Sequence, residues 1–315
     1  MNQTKIALVS EFSWQDRFEA WLKTDYRGAY RRHPSKLTVK AYTQGVSVFV
    51  AWWEATNNDI FTLEKLTNYD LLAFRQWSLE KQKCAPSTWN TRRAALIVFS
   101  VWVQAQFGLT YDLMDGVEIV DKAPTAPRWL TDDEYGRFQR ALERSIKSAV
   151  TIVERNRAVR NWAMIALMVH GSLRVGDVAA LDVDDLVLNE RSGKAIIRNG
   201  KGGKAADVKL SLKARRALGV WLEIRGAQPG ALFAGKNSER LTTRSIERAV
   251  VEIYQMAGIH GHTTHDLRHT FGKNAEKNGV SVNQLKELMR HSRLETTLRY
   301  IQPGDDELQA TVEML

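Results

Sequence analysis

The chain has 315 residues, of which 44% are apolar and 26% charged, a composition that supports folded cores and excludes wholesale disorder. Its length predicts two domains rather than one. The net charge of +9 favours a polyanionic partner, usually nucleic acid, and most of the excess lies in residues 128–315, with 30 basic against 23 acidic side chains.

The first 120 residues are predicted to form helices. One helix begins at Ser35 or Thr38, where apolar residues start to recur with a period near 3.6; a second covers 68–80, and a third follows Pro86. Six of the ten tryptophans lie in residues 21–102 at helical spacing. This spacing favours burial in a core over a role in base stacking.

A proline pair separates the two predicted domains. Pro124 and Pro127 stand three residues apart and disfavour both helix and strand. We therefore expect a helical domain over 1–121, a linker over 122–128 and a second domain over 129–315.

The second domain is predicted to be helical with a small sheet. Thr131 and Glu134 form a capping-box pattern, and a helix over 157–169 follows the one that they start. Gly-rich turns then separate three short strands. Further helices are predicted at 213–225, 243–257, 266–278, 282–289 and 295–300. The fold class is mainly α with a small antiparallel β-sheet.

Cysteine usage and hydropathy point to the cytoplasm. Cys84 is the only cysteine, which excludes a disulfide framework and a Cys-based zinc site. The first ten residues lack the apolar core of a signal peptide, and no segment approaches the roughly 18 consecutive apolar residues of a membrane span. We expect a cytoplasmic protein with no membrane partner.

Chemistry-bearing residues are concentrated near the C-terminal end. His265-Asp-Leu-Arg268-His269 is followed by His291 and then by Tyr300, all within 36 residues. These residues combine proton carriers, a fork-shaped cation that can clamp an oxyanion, and a nucleophilic oxygen. The combination indicates covalent chemistry on a phosphate, with tyrosine as the attacking group.

Five motifs occur in order along the second domain. They are Gly171-Ser-Leu-Arg174-Val-Gly-Asp177, Gly200-Lys201-Gly-Gly-Lys204, His265-Asp-Leu-Arg268-His269-Thr, Arg290-His291-Ser292 and Thr297-Leu-Arg-Tyr300. In order and approximate spacing they resemble the motifs of tyrosine site-specific recombinases, the phage integrase family that includes the Xer proteins and Cre. The resemblance covers the whole chain. It implies a SAM-like core-binding domain of helices, then a mixed α/β catalytic domain with a C-terminal docking tail.

The resemblance implies a phosphate clamp and a nucleophile. Arg174 and Arg268 would bind the non-bridging oxygens of a DNA phosphodiester, which gather charge during attack. Tyr300 would attack phosphorus and form a 3′-phosphotyrosyl bond. Asp177 would support the turn that carries Arg174.

Proton transfer would fall to the remaining motif residues. His265 would act as base or orienting group, and His291 would donate a hydrogen bond to the phosphate. Lys201, at a hairpin tip, would protonate the leaving 5′-hydroxyl, with Lys204 as a competing candidate. His269 is expected to pack or hydrogen-bond structurally. No step requires a metal or a nucleotide cofactor.

The implied function is site-specific recombination. The protein would cleave and rejoin double-stranded DNA at a specific recombination site, through a Holliday junction. It would act as a homotetramer on paired DNA sites, with possible accessory proteins, in the cytoplasm at the nucleoid. Candidate DNA-phosphate contacts are Arg92, Arg93, Lys204 and Arg244.

Three positions depart from the family pattern. Ser172 stands where a small residue such as glycine is common, Arg290 stands where glycine is usual, and residues 205–207 replace a common basic residue. These departures are expected to affect rate and local DNA contacts rather than the class of reaction.

Three alternatives remain open. His265 and His269 have the i, i+4 spacing of a zinc helix, with His260 and His262 nearby. A second alternative is a catalytically inactive DNA-binding accessory protein. A third is an enzyme like type IB topoisomerases, which use similar tyrosine and arginine chemistry.

Overall fold

The fold is mainly α-helical with one small antiparallel sheet, which confirms the predicted fold class. The computed structural model of the chain describes residues 13–28, 33–121, 127–198, 205–235, 239–291, 293–300 and 312–313. The chain divides into two compact units, Met1–Pro124 and Thr125–Leu315, each with its own apolar core. Among the described residues, no helix has the length and apolar character needed to cross a membrane.

Unit one is built of helices. They are α1 (Trp14–Thr24), α2 (Lys36–Asn57), α3 (Asn68–Gln76) and α4 (Pro86–Phe107), with a 3-10 turn at Leu63–Lys65 and a π-helical turn at Trp77–Lys81. Ser35 caps α2 as predicted, because its Oγ accepts the backbone N–H of Thr38 at 3.2 Å. The helix predicted over 68–80 is α-helical only as far as Gln76, and the π-helical turn Trp77–Lys81 follows it.

The core of unit one is aromatic, and its tryptophans are structural as predicted. Trp89 and Trp102 are buried, and Trp89 Nε1 donates to the carbonyl oxygen of Glu118 at 2.9 Å. Trp53 Nε1 donates to Asp70 Oδ1 at 2.8 Å. The indole N–H groups of Trp53 and Trp89 are thus satisfied within the unit, which leaves these two rings as packing elements.

Unit two contains the remaining described helices. They are α5 (Asp132–Lys147), α6 (Ile152–Gly171), α7 (Val175–Ala180), α8 (Leu212–Arg225), α9 (Thr243–Met256), α10 (Thr264–Lys277), α11 (Val282–Met289) and α12 (Glu295–Leu298). The predicted capping box of α5 is present, with Thr131 N–H donating to Glu134 Oε2 at 2.9 Å. Helix α6 begins five residues before the predicted start, because Thr151 and Glu154 form a second capping box.

Helix α6 lies at the centre of unit two. Its second half is almost wholly buried, and it packs against α5, α8 and α10. A helix that is apolar on all sides must be surrounded by other elements. The C-terminal end of α6 therefore lies inside the unit, where the residues that follow it enter the candidate site.

The sheet has the strand order β1–β2–β3, all antiparallel, with β1 at Leu186–Leu188, β2 at Gly193–Ile197 and β3 at Ala206–Lys209. Ala195 pairs with Val208, and both are buried on the core face. Lys201 and Lys204 stand between β2 and β3 in the sequence, and both lysines lie outside the described residues.

Candidate active site

Two helices that border the site are each followed by a residue in the left-handed backbone conformation. Helix α6 is directly followed by Ser172, with φ +57°, and α11 is directly followed by Arg290, with φ +51°. This backbone region is uncommon for residues other than glycine. At these two helix ends, the carbonyl groups of Ser172 and Met289 accept hydrogen bonds from Arg268.

Arg268 is a buried cation held by these carbonyl groups. It lies in α10 with only 1% of its surface exposed. Nη1 donates to the Ser172 carbonyl oxygen and Nη2 to the Met289 carbonyl oxygen. Helix C-termini carry partial negative charge, so both contacts stabilise the guanidinium. No carboxylate in the described part of the chain forms an ion pair with it.

Arg174 lies beside Arg268, at the start of α7. Its backbone N–H donates to Asp177 Oδ2 at 3.2 Å, which is the expected support of this turn. Burial lowers the pKa of Arg268, and the charges of Arg174 and Arg290 lower it further. The site thus concentrates positive charge that an anion would stabilise.

Tyr300 is buried against these groups, with 1% of its surface exposed. Its hydroxyl forms a hydrogen bond with His269 Nδ1, and its ring stacks on His291 with centroids 6.2 Å apart. A Cβ atom on Gly272 would come within 2.9 Å of the tyrosine ring, so the glycine makes room for it. Burial raises the pKa of Tyr300 to about 12, against the opposing charge of Arg268.

The histidines around Tyr300 are neutral at pH 7. Burial, reinforced by nearby positive charge, lowers the pKa of His269 to about 4 and that of His291 to about 4. Burial and the Arg268 charge also lower the pKa of His265. A neutral imidazole has one donor and one acceptor nitrogen, so each of these rings can take or give a hydrogen bond.

The hydrogen-bond partner of His269 is the hydroxyl of Tyr300. The sequence predicts packing or a structural hydrogen bond for His269 but does not identify this partner. His265, expected to be the base, lies edge-on to His269 with ring centroids 4.4 Å apart. The signal was present: the i, i+4 spacing places both rings on one face of α10.

The other candidate residues are distributed as follows. The structure brings together Arg174, His265, Arg268, His291 and Tyr300, while Lys201 and Lys204 lie outside the described residues. In unit one, Arg92 Nη1 donates to Gln82 Oε1 at 2.5 Å and Arg93 Nε donates to the Val117 carbonyl oxygen. Arg244, in the first turn of α9, is exposed to solvent.

The zinc-helix alternative finds no support in the side-chain arrangement. His262 lies between Glu134 Oε1 at 3.6 Å and Asp266 Oδ2 at 3.4 Å, and His269 is engaged by Tyr300. Across the part of the chain that the structure describes, no three His, Cys, Asp or Glu side chains form a group that could hold a metal ion.

Comparison with known proteins gives the same architecture. The model of the Phage integrase family matches residues 128–307, and that of the phage integrase N-terminal SAM-like domain matches residues 29–106. Among solved structures, the XerH site-specific recombinase bound to its difH substrate has a TM-score of 0.71 at 19% identity, covering 95% of this chain and 94% of that one. A lambda integrase tetramer bound to a Holliday junction has a TM-score of 0.66 at 18% identity, covering 96% and 83%. The fold is that of the tyrosine recombinases.

Sequence relatives agree with the fold. The tyrosine recombinase XerC of Corynebacterium glutamicum is 26% identical over 255 residues, 78% of each chain. The TnP I resolvase of Bacillus thuringiensis is 26% identical over 310 residues, 95% of this chain and 98% of that one. Because the family match covers more than half of its length, the chain belongs to the phage integrase family.

Proposed function

We propose that the protein is a site-specific DNA recombinase in which Tyr300 attacks a phosphodiester of duplex DNA. The bond between phosphorus and the 5′-oxygen breaks, and a 3′-phosphotyrosyl bond takes its place. The 5′-hydroxyl of another strand can later reverse the step, so strands are exchanged without an external energy source. The observation that carries this proposal is the Tyr300 hydroxyl, which is hydrogen-bonded to His269 and whose pKa the charges of Arg268 and Arg174 act to lower.

The two arginines are the groups that would bind the phosphate. Arg268 is fixed by two backbone carbonyl groups and keeps further N–H donors. The described residues provide no hydrogen-bond or ion-pair partner for the Arg174 guanidinium, so its fork remains available to a phosphate oxygen. Cations held in place before the reaction stabilise the charge of the transition state without rearranging.

The proton of Tyr300 would pass to His269. With a pKa of about 12, roughly one tyrosine in 10^5 is ionised at pH 7, because each pKa unit is a factor of ten. The free enzyme therefore holds a neutral phenol next to a neutral imidazole. The proton moves to Nδ1 as the oxygen–phosphorus bond forms, which is general-base catalysis.

The remaining histidines and the lysine would complete the site. Thr297 Oγ1 lies 2.9 Å from His291 Nδ1, which leaves Nε2 of His291 to donate to a phosphate oxygen. His265 packs behind His269 and orients it. Lys201 would give a proton to the leaving 5′-oxygen, with Lys204 as the alternative donor. These steps need no metal and no nucleotide.

The partners follow from the same chemistry. The net charge of +9 suits duplex DNA, and phosphate contacts make such binding salt-sensitive. Both structural relatives named above are bound to DNA, and one is a tetramer on a Holliday junction. We infer a homotetramer on paired recombination sites, located at the nucleoid, with residues 1–121 as the core-binding domain and 129–315 as the catalytic domain.

The test is recovery of DNA covalently attached to the protein. Host cells are lysed in strong detergent, and wild type is compared with Tyr300→Phe. Tyr254→Phe is the matched control, since it removes another buried hydroxyl, one that donates to the Thr263 carbonyl oxygen at 3.1 Å.

We expect adducts enriched at one short sequence in wild type and in the control, and none in Tyr300→Phe. No wild-type adduct, with DNA binding intact, would indicate an accessory protein. Adducts without a preferred site would indicate a topoisomerase.

A further inference from the structure

A third guanidinium lies beside the two that the proposed chemistry uses. Arg290 directly follows α11, and only 16% of its side chain is exposed. Its Nη2 donates to Asp177 Oδ2 at 2.5 Å. Its Nε is buried and has no hydrogen-bond partner among the described residues. One ion pair therefore ties the end of α11 to α7.

The backbone of Arg290 is in a conformation that arginine does not favour. Its φ and ψ are +51° and +48°, the left-handed helical region. Glycine adopts this conformation at the C-terminal end of a helix without strain, because it has no Cβ to clash. A strained position is retained where the surrounding structure or a function requires the side chain. For Arg290, the contact that needs the side chain is the ion pair with Asp177.

Asp177 connects this ion pair to the phosphate site. The same Oδ2 atom accepts the backbone N–H of Arg174 at 3.2 Å. The residue that follows Arg290 in the sequence is His291, whose ring stacks on Tyr300. Arg290 thus links the backbone of Arg174 with that of His291, two groups that are 117 positions apart in the sequence.

We propose that Arg290 is a positioning residue, which through Asp177 holds Arg174 and His291 at the separation that a single phosphate requires. This inference rests on the proposed function. Arg290 acts here through its neighbours, because its Nε is enclosed and its Nη2 is committed to the carboxylate. Loss of the link should slow the chemical step more than it weakens DNA binding.

Arg290→Gly separates positioning from folding. The substitution removes the ion pair and also the backbone strain, so the melting temperature should stay equal or rise. The rate of adduct formation should fall by roughly ten- to a hundredfold, the range for a misplacement on the order of 1 Å in an active site. The probe is the duplex sequence recovered with wild type. Its binding, measured by fluorescence anisotropy at fixed salt, should be unchanged.

Two further variants control for charge and strain. Arg290→Lys and Arg290→Met keep the same left-handed strain, but only lysine can pair with Asp177. Lysine should restore part of the rate that methionine loses. Equal rates for these two variants, or a wild-type rate for Arg290→Gly, would overturn the inference.

A double-mutant cycle tests the route through Asp177. If Arg290 acts through that carboxylate, Arg290→Met combined with Asp177→Asn should be no slower than the slower single variant. Rate losses that multiply would show that Arg290 acts independently, against the inference. Wild type is the reference: a wild type without adducts would refute the proposed function, whereas active wild type with unaffected Arg290 variants would refute only the role of Arg290.

Discussion

Gly272→Ala is expected to displace the proposed nucleophile without removing any chemical group. A Cβ at this position would lie 2.9 Å from Tyr300 Cε1 and 3.0 Å from Met289 Sδ. Favourable carbon contacts begin at about 3.5 Å, so the ring must retreat by roughly 0.6 Å. Since a misplacement of about 1 Å can cost roughly a hundredfold in rate, we expect cleavage to slow about tenfold.

The expected change in the free energy of unfolding of Gly272→Ala is the sum of two opposing effects. Alanine is favoured over glycine inside a helix by about 1 kcal/mol, and overpacking a filled site costs about 1–3 kcal/mol. The net loss should therefore be about 0–2 kcal/mol, small enough for the protein to remain folded. Gly219→Ala in α8 is the matched control, because its Cβ would meet nothing within 4 Å. It should gain up to about 1 kcal/mol and cleave at the wild-type rate.

The assay measures adduct formation on the recovered DNA sequence and unfolding by denaturant, for both variants and wild type. The reasoning fails if Gly272→Ala cleaves as fast as wild type at normal stability. That result would mean that Tyr300 does not react from its position against α10.

Three further outcomes are expected. Arg268→Met should lower the free energy of unfolding by roughly 2–4 kcal/mol, because two buried carbonyl groups lose their donor. Arg174→Met should change the free energy of unfolding little while abolishing cleavage. Equal losses of stability in the two variants would contradict the assigned contacts. His269→Leu should slow adduct formation by roughly 10^2–10^4-fold at pH 7. The deficit should narrow as the pH rises towards the Tyr300 pKa of about 12, because more tyrosinate then forms without a base; a pH-independent deficit would refute the base assignment. The folded-state pKa values of His269, His291 and His170 are lowered to about 4, so the unfolded chain binds more protons below about pH 6.5 and stability should fall as the pH drops from there towards 4. Denaturant titrations at pH 7.5, 6 and 5 would measure this slope, and His170→Phe should reduce it; a flat profile would contradict the burial of these rings.

Local rules predicted most of the helices. The caps at Ser35 and Thr131 were visible in the sequence, because a capping side chain and its partner are three residues apart. Helix α11 has the predicted bounds, Val282–Met289. The predicted start of α6, at residue 157, was five residues too late, although Thr151 and Glu154 follow the same rule.

The contacts of the site could not be derived from local patterns. Motif order placed Arg174, Arg268 and Tyr300 in one site, and the structure brings them together. The partner of Tyr300 depends on how α10 packs against the residues after α12, and spacing alone did not distinguish His265 from His269. Arg268 is held by backbone carbonyl groups. Every residue type has such a group, so no sequence pattern identifies the residues that provide them.

The way in which Arg268 is held has a thermodynamic consequence. Backbone dipoles stabilise a guanidinium without cancelling its full charge, as a carboxylate would. In the free protein, the positive charges of Arg268 and Arg174 therefore repel each other. An anion that binds in the site acts as their counterion and reduces this repulsion. By linkage, an anion that binds only the native state stabilises it by RT ln(1 + [L]/Kd), where [L] is the concentration of the free anion. Inorganic sulfate alone should raise the melting temperature of wild type more than that of Arg174→Met. The native state of this protein is thus more stable when an anion occupies the site than when the site is empty.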